Sequence, residues 1–195
     1  MFNRVVFLTF STLMLWSVSC SNPPSGFSGA PDRRAEMVAT DNVMAGGSDL
    51  APVEMRQLLL EHNRVRAAVG VAPLSWSEGL AAHARQWAEH LAAVGCRMEH
   101  RPAKGEWRGI YGENLFTGTA GHYGVVDAVR AWESEKRFFQ REALTMSNVA
   151  KVGHYTQLVW RETRQVGCGK VQCQGRIILV CNYSPAGNIL FERPY

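Results

Sequence analysis

The stretch "VGCGKVQCQGRIILVC", residues 166–181, constrains this chain more than any other. Two apolar runs flank Gln174-Gly175, and that pattern predicts a hairpin of strands over Val166–Cys173 and Arg176–Tyr183. Counting outward from a Cys173/Arg176 pair sets Cys168 opposite Cys181. That position is a non-hydrogen-bonded pair, with Cα atoms about 4.5 Å apart, inside the disulfide range. Cys20 apart, the other cysteines are Cys96, Cys168, Cys173 and Cys181. An even count behind an export leader points to two disulfides, with three pairings open. The hairpin selects Cys168–Cys181 and leaves Cys96 for Cys173. A metal site built from these cysteines is the rival, and export disfavours it.

The leader is residues 1–20. Arg4 precedes the apolar run "VVFLTFSTLMLWSV", which is too short and too N-terminal to be read first as a membrane span. Small residues before Cys20 resemble a bacterial lipoprotein signal, in which that Cys is lipidated and becomes the new N-terminus. Ser17 stands where such signals usually carry Leu. Ordinary signal-peptidase cleavage nearby is the alternative. Residues 21–50 are rich in Pro, Gly, Ser and Ala, without a sustained apolar period, and are expected to form a flexible linker. Such a linker reaches about 30 Å, enough to hold a domain off a membrane if Cys20 is lipidated. The folded domain is expected over 51–195.

Within that domain the apolar periods predict helices over 52–69, 75–95 and 125–139. Ser75 and Glu78 match a capping box for the second, whose stripe is Leu80, Ala84, Trp87, Leu91 and Val94. The third aligns Ala128, Ala131, Trp132, Glu135 and Phe139 on one face. Glu135 thus lies among apolar residues, where a carboxylate costs several kcal/mol unless paired. It needs an Arg, a His or a metal ion. A short strand is expected at Ile110–Phe116, and another at Tyr155–Glu162, where the apolar/polar alternation of "GHYTQLVW" puts His154 at a strand mouth. Helices with an antiparallel sheet predict an α+β fold, with helices on both faces. The net charge is +4. No run of Lys or Arg exceeds two residues, so a nucleic-acid partner is not expected.

Four stretches carry a family resemblance. "EHNRVRAAVGVAPLSWSEGLAAHARQWA", "YGENL", "GHYTQLVW" and "LVCNYSPAGN" resemble the CAP superfamily of cysteine-rich secretory, antigen 5 and pathogenesis-related type one proteins. The similarity spans roughly 52–195 and is greatest to the plant pathogenesis-related branch, down to the terminal "RPY". The lipoprotein-like start suggests a bacterial member. The resemblance implies a three-layer α-β-α sandwich. It also implies a cleft formed by His100, Glu113, Glu135 and His154, in which His100 and His154 hold a divalent metal such as zinc. Glu113 and Glu135 are then acceptors for the second nitrogen of each ring, or bind water on the ion. The family disulfides map onto Cys96–Cys173 and Cys168–Cys181, in agreement with the hairpin count. His62, Asn63 and Arg66 match the first-helix pattern, with a role in packing and hydrogen bonding.

Two departures stand out. The pair of cysteines that brackets the loop before "GHYTQ" in plant relatives is missing, so the loop "REALTMSNVAKV" is expected to be more mobile. Phe191 replaces a Gly in the C-terminal segment, and the signalling-peptide role of that segment in plants is not carried over.

The sequence contains no HExxH and no G-x-S-x-G, and the expected disulfides leave no free Cys in the domain. Neither Ser134 nor Ser147, near the cleft motifs, lies on a recognisable strained turn. The expectation is therefore an exported, non-enzymatic module, extracellular or at the cell envelope. It binds a lipid or sterol, a glycan or a protein partner, and is expected to be a monomer. A metal-dependent, peptidase-like hydrolase using the same cleft is the alternative.

Overall fold

A computed structural model describes residues 49–195. The leader, nearly all of the linker, and Cys20 lie outside the described residues. The elements are α1 (Pro52–Ala67), β1 (Ser75–Trp76), α2 (Glu78–Ala93), β2 (Gly112–Thr119), α3 (Val125–Glu133), a 3-10 turn (Ser134–Phe138), α4 (Val149–Leu158), β3 (Gln165–Cys173) and β4 (Arg176–Ser184).

The sheet order is β1-β3-β4-β2. The hairpin forms in the expected register, with Cys168 opposite Cys181 and Cys173 opposite Arg176. β2 lies antiparallel on the other side of β4, and β1 runs parallel to β3. The period of two along β4 divides the core. Leu179, Cys181 and Tyr183 pack with α1, α3 and α4, whereas Ile178 and Val180 pack with Ala84, Trp87 and Leu91 of α2. This is the α-β-α sandwich. Gly167 and Gly169 let α2 lie directly on β3, because a Cβ at either would overlap the backbone of Ala81 or Arg85. Both disulfides form, Cys168–Cys181 with Cα atoms 4.1 Å apart and Cys96–Cys173 with 6.0 Å.

Several local expectations are corrected. The strand expected at Tyr155–Glu162 is largely the helix α4. Thr156 and Gln157 are buried and bonded internally. The Thr156 hydroxyl donates to Val152 O and Asn188 Oδ1, and Gln157 Oε1 accepts from Gly187 N–H. The cap of α2 is Ser77, which accepts from Leu80 N–H at 3.3 Å. Ser75 is instead taken by β1, opposite Gln165. Val94 is exposed beyond the end of α2. β2 begins at Gly112 rather than Ile110. The third helix stops at Glu133 and tightens into the 3-10 turn, where the Ser134 hydroxyl donates to Ala131 O at 2.7 Å. The loop before α4 is pinned despite its missing disulfide. Leu144 is fully buried, Thr145 N–H donates to Asn148 Oδ1 at 2.8 Å, and the last four residues of "REALTMSNVAKV" already belong to α4.

Candidate functional site

The site is built where three elements meet. The residues after α2 bring His100, β2 brings Glu113, the 3-10 turn brings Glu135, and α4 brings His154. His100 Nδ1–H donates to Glu113 Oε1 at 2.8 Å. His154 Nδ1–H donates to Glu135 Oε1 at 2.6 Å. A carboxylate only accepts, so each ring carries a proton on Nδ1, and the neutral ring presents an Nε2 lone pair. Among the described residues neither Nε2 atom has a hydrogen-bond partner.

Both histidines line two adjoining cavities. One, of about 500 Å³, has Arg101, Tyr111, Glu113 and Asn188 in a wall that also includes Pro102, Ala103, Val149 and Ala150. The other, of about 450 Å³, is lined by Met98, Leu115, Phe116, Ala131, Trp132 and Glu135. The histidine pair therefore lines both lobes of one cleft, and most of the charged and amide side chains lie in the first. Ala131, expected on the inward stripe, is exposed and forms part of this wall.

Each acid is held from behind. Glu135 Oε2 accepts the backbone N–H of His154 at 2.9 Å and of Tyr155 at 3.1 Å. Glu135, expected on a buried helix face, lies instead partly exposed on the 3-10 turn, and the partner it finds is a His. Glu113 Oε1 also accepts Arg101 N–H at 3.1 Å. The Arg101 side chain is only 5% exposed, with its guanidinium over the rings of Trp87 at 5.1 Å and Trp107 at 5.5 Å. Its Nε lies 4.0 Å from Glu113 Oε2.

α4 is held at its middle and at its C-terminal end. Asn114 Nδ2 donates to His154 O at 3.1 Å and to the Tyr183 hydroxyl at 3.3 Å. Asn188 Nδ2 donates to Gly153 O at 2.8 Å. Arg66, fully buried, donates to the carbonyls of Leu158, Trp160, Thr163 and Ala72. The guanidinium thus meets the carbonyl end of α4, where the helix dipole favours a cation. Burial pushes its pKa down to about 10, so it stays charged at neutral pH. His62 is also fully buried, between Leu58 O at 2.7 Å and the Tyr183 hydroxyl at 2.9 Å. Desolvation depresses its pKa to about 4 and raises that of Tyr183. The packing and hydrogen-bonding role expected of His62, Asn63 and Arg66 is what they perform. Asn63 completes it by bonding both N–H and O of Leu74.

Asn114, Arg101 and Asn188 escaped the sequence reading, and Trp132 entered it only as part of the third helix's apolar stripe. Asn114 and Asn188 lie inside the quoted motifs "YGENL" and "PAGN" and were legible there. Arg101 has no such signal, because only the fold sets it between two tryptophans.

The sandwich and its paired His/Glu cleft define a class, the CAP proteins. The family model for CAP, the cysteine-rich secretory protein family, matches residues 59–183, and the chain belongs to that family. Pathogenesis-related protein 1 of Arabidopsis thaliana is 46% identical over 135 residues, covering 69% of this chain and 78% of that protein. Pathogenesis-related protein 1C of Nicotiana tabacum is 42% identical over 135 residues, covering 69% and 76%. Among solved structures, NaASP2 with Zn2+ superposes with a TM-score of 0.66 at 25% identity, covering 78% of this chain and 88% of that one.

The residues present suit a zinc ion in chemistry and tautomer: two neutral imidazoles with free Nε2 atoms, each backed by a carboxylate. Among the described residues no group of three or more His, Cys, Asp or Glu converges to hold a metal. An ion here would have two protein donors, and water or ligand atoms would complete its shell.

Proposed function

We propose that this chain is an exported CAP module that binds an amphipathic ligand in the His100/His154 cleft and performs no catalysis. The observation that carries this is the position of the histidine pair on both lobes, one bearing the side chains of Arg101, Glu113 and Asn188 on a partly apolar wall and the other lined by Met98, Leu115, Phe116 and Trp132. A lipid, with a polar head and an apolar body, suits such a cleft better than a glycan does. A divalent ion on the two Nε2 atoms would supply a positive centre for the head. The relative solved with Zn2+ supports that part. The leader and the two disulfides support export to an oxidising compartment, with Cys20 as a candidate lipid anchor.

The hydrolase alternative is weaker. Glu135 spends both oxygens on His154 and Tyr155, Glu113 Oε1 is held by His100 and Arg101 N–H, and Glu113 Oε2, though without a hydrogen-bond partner, is closed off from solvent. A general base needs a carboxylate free to take a proton from water.

Zinc titration by calorimetry tests the site. The wild type is expected to bind one ion, and His100→Ala/His154→Ala none. Affinity is expected to fall in acid, because a metal needs unprotonated imidazole. Absence of binding by the wild type would reduce the tetrad to a hydrogen-bonded structural centre, and binding unchanged at pH 5 would rule out a histidine site.

A further inference from the structure

Two loops meet beside the mouth of the cleft. One runs from Arg141 into α4, whose Val149 and Ala150 line the cavity that holds Arg101 and Glu113. The other follows Asn188, which lines the same cavity. They are clipped together: Phe191 N–H donates to Leu144 O at 2.7 Å, and Leu144 N–H donates to Glu192 O at 2.9 Å. Leu144 is buried, but its neighbours across the clip are not. Met146 is 76% exposed, Ile189 48% and Phe191 79%.

Phe191 also has φ +68°, in the left-handed region. A residue with a Cβ is destabilised there. An exposed aromatic recovers nothing by packing, so this outlier points to function rather than to stability.

The surrounding charge indicates the partner. Lys136, Arg137, Arg141, Lys151 and Arg193, on these loops and their flanks, are all exposed. Among the described residues none of them makes an ion pair, as is also true of Arg56, Lys104, Arg108, Arg161 and Arg176 elsewhere; what marks this face is that five such cations border exposed apolar side chains. The acids nearby are Glu142 and Glu192, and Glu142 already accepts from Asn148 Nδ2 at 3.0 Å.

We propose that the Met146–Ile189–Phe191 face, set among unpaired cations, docks the domain on an anionic phospholipid bilayer. The apolar tips enter the headgroup layer and the cations meet lipid phosphates. The contact is peripheral, since no helix among the described residues is long and apolar enough to cross a membrane. Because the same loops lead into the cleft wall, docking brings the cleft mouth to the lipid surface. The docking requires neither a metal nor His100 and His154, so it stands or falls apart from the function proposed for the cleft.

Vesicle co-sedimentation tests it, with the mature chain from position 20 carrying Cys20→Ser, so that neither the apolar leader nor a covalent lipid anchors it. Vesicles of phosphatidylcholine alone are compared with vesicles containing phosphatidylglycerol. The unaltered face is expected to bind the anionic vesicles, and less at high salt. Phe191→Gly is expected to weaken binding about tenfold, the loss of one buried aromatic. Met146→Ser/Ile189→Ser/Phe191→Gly is expected to abolish it. Phe191→Gly should melt no lower than its parent, because Gly adopts this φ without strain, so its loss of binding is not unfolding. Its zinc titration should match its parent's. No binding by the unaltered face, equal binding by the triple variant, or equal binding to both vesicle types would overturn the proposal.

Discussion

Glu135 holds His154 by ring and by backbone at once. One carboxylate oxygen takes the imidazole Nδ1–H at 2.6 Å and the other takes the His154 N–H at 2.9 Å. The acid therefore sets both the tautomer of the ring and the path of α4 beneath it. Glu135→Ala is expected to cost about 2–3 kcal/mol, since bonds to a charged acceptor exceed neutral ones and two backbone donors lose their partner. Urea unfolding measures the loss. Hydrogen exchange at the His154 and Tyr155 amides should quicken while the amides of β4 stay protected. Unchanged exchange at those two amides would show that the carboxylate orients only the ring.

His62 gives the protein an acid-sensitive core. Its folded pKa, depressed to about 4 by desolvation, lies below the unfolded value of 6.5. The folded state then binds fewer protons than the unfolded one in that interval. The stability that neutral His62 supports is complete above pH 6.5 and is lost as pH falls through 4. The expected slope is about 1.4 kcal/mol per pH unit, approaching about 3 kcal/mol in total. Glu61, whose pKa is lowered chiefly by its hydrogen bond to Arg64, adds loss only in stronger acid. Urea midpoints measured from pH 7.5 to 4 should show this slope, and His62→Gln should flatten it. A wild-type profile level across that range would exclude the buried neutral imidazole.

Arg66 ties the end of α4 to α1 through Leu158 O and Trp160 O, both at 2.9 Å, and to the following turn through Thr163 O at 3.1 Å. Arg66→Lys keeps the charge and loses the fork, so one ammonium cannot satisfy carbonyls spread over that arc. The expected loss is about 3 kcal/mol, within the range for breaking a buried ionic network. A lowered urea midpoint with retained two-state unfolding would accord with this. If Arg66→Lys stayed within about 0.5 kcal/mol of wild type, the size of an ordinary surface change, the carbonyls would have found other donors.

What the sequence determined by itself follows from local geometry. The Gln174-Gly175 turn and the period of two set the hairpin register, and the register placed Cys168 against Cys181. The helical stripe of α2 and the acid at Glu135 that needed a partner were legible for the same reason: side-chain direction follows residue number within one element. The motif resemblance added the family, the sandwich and the four cleft residues.

Tertiary structure alone decided the rest. The alternation over 155–162 predicts a strand, yet residues 155–158 close α4, where Thr156 and Gln157 are buried against Asn188 and Gly187. The placement of Arg101 over Trp87 and Trp107 is likewise invisible along the chain. So is the exposure of Met146 and Phe191 side by side with a buried Leu144. In each case the free energy comes from groups distant in sequence. A short apolar run has no preference of its own strong enough to choose a state before those partners arrive.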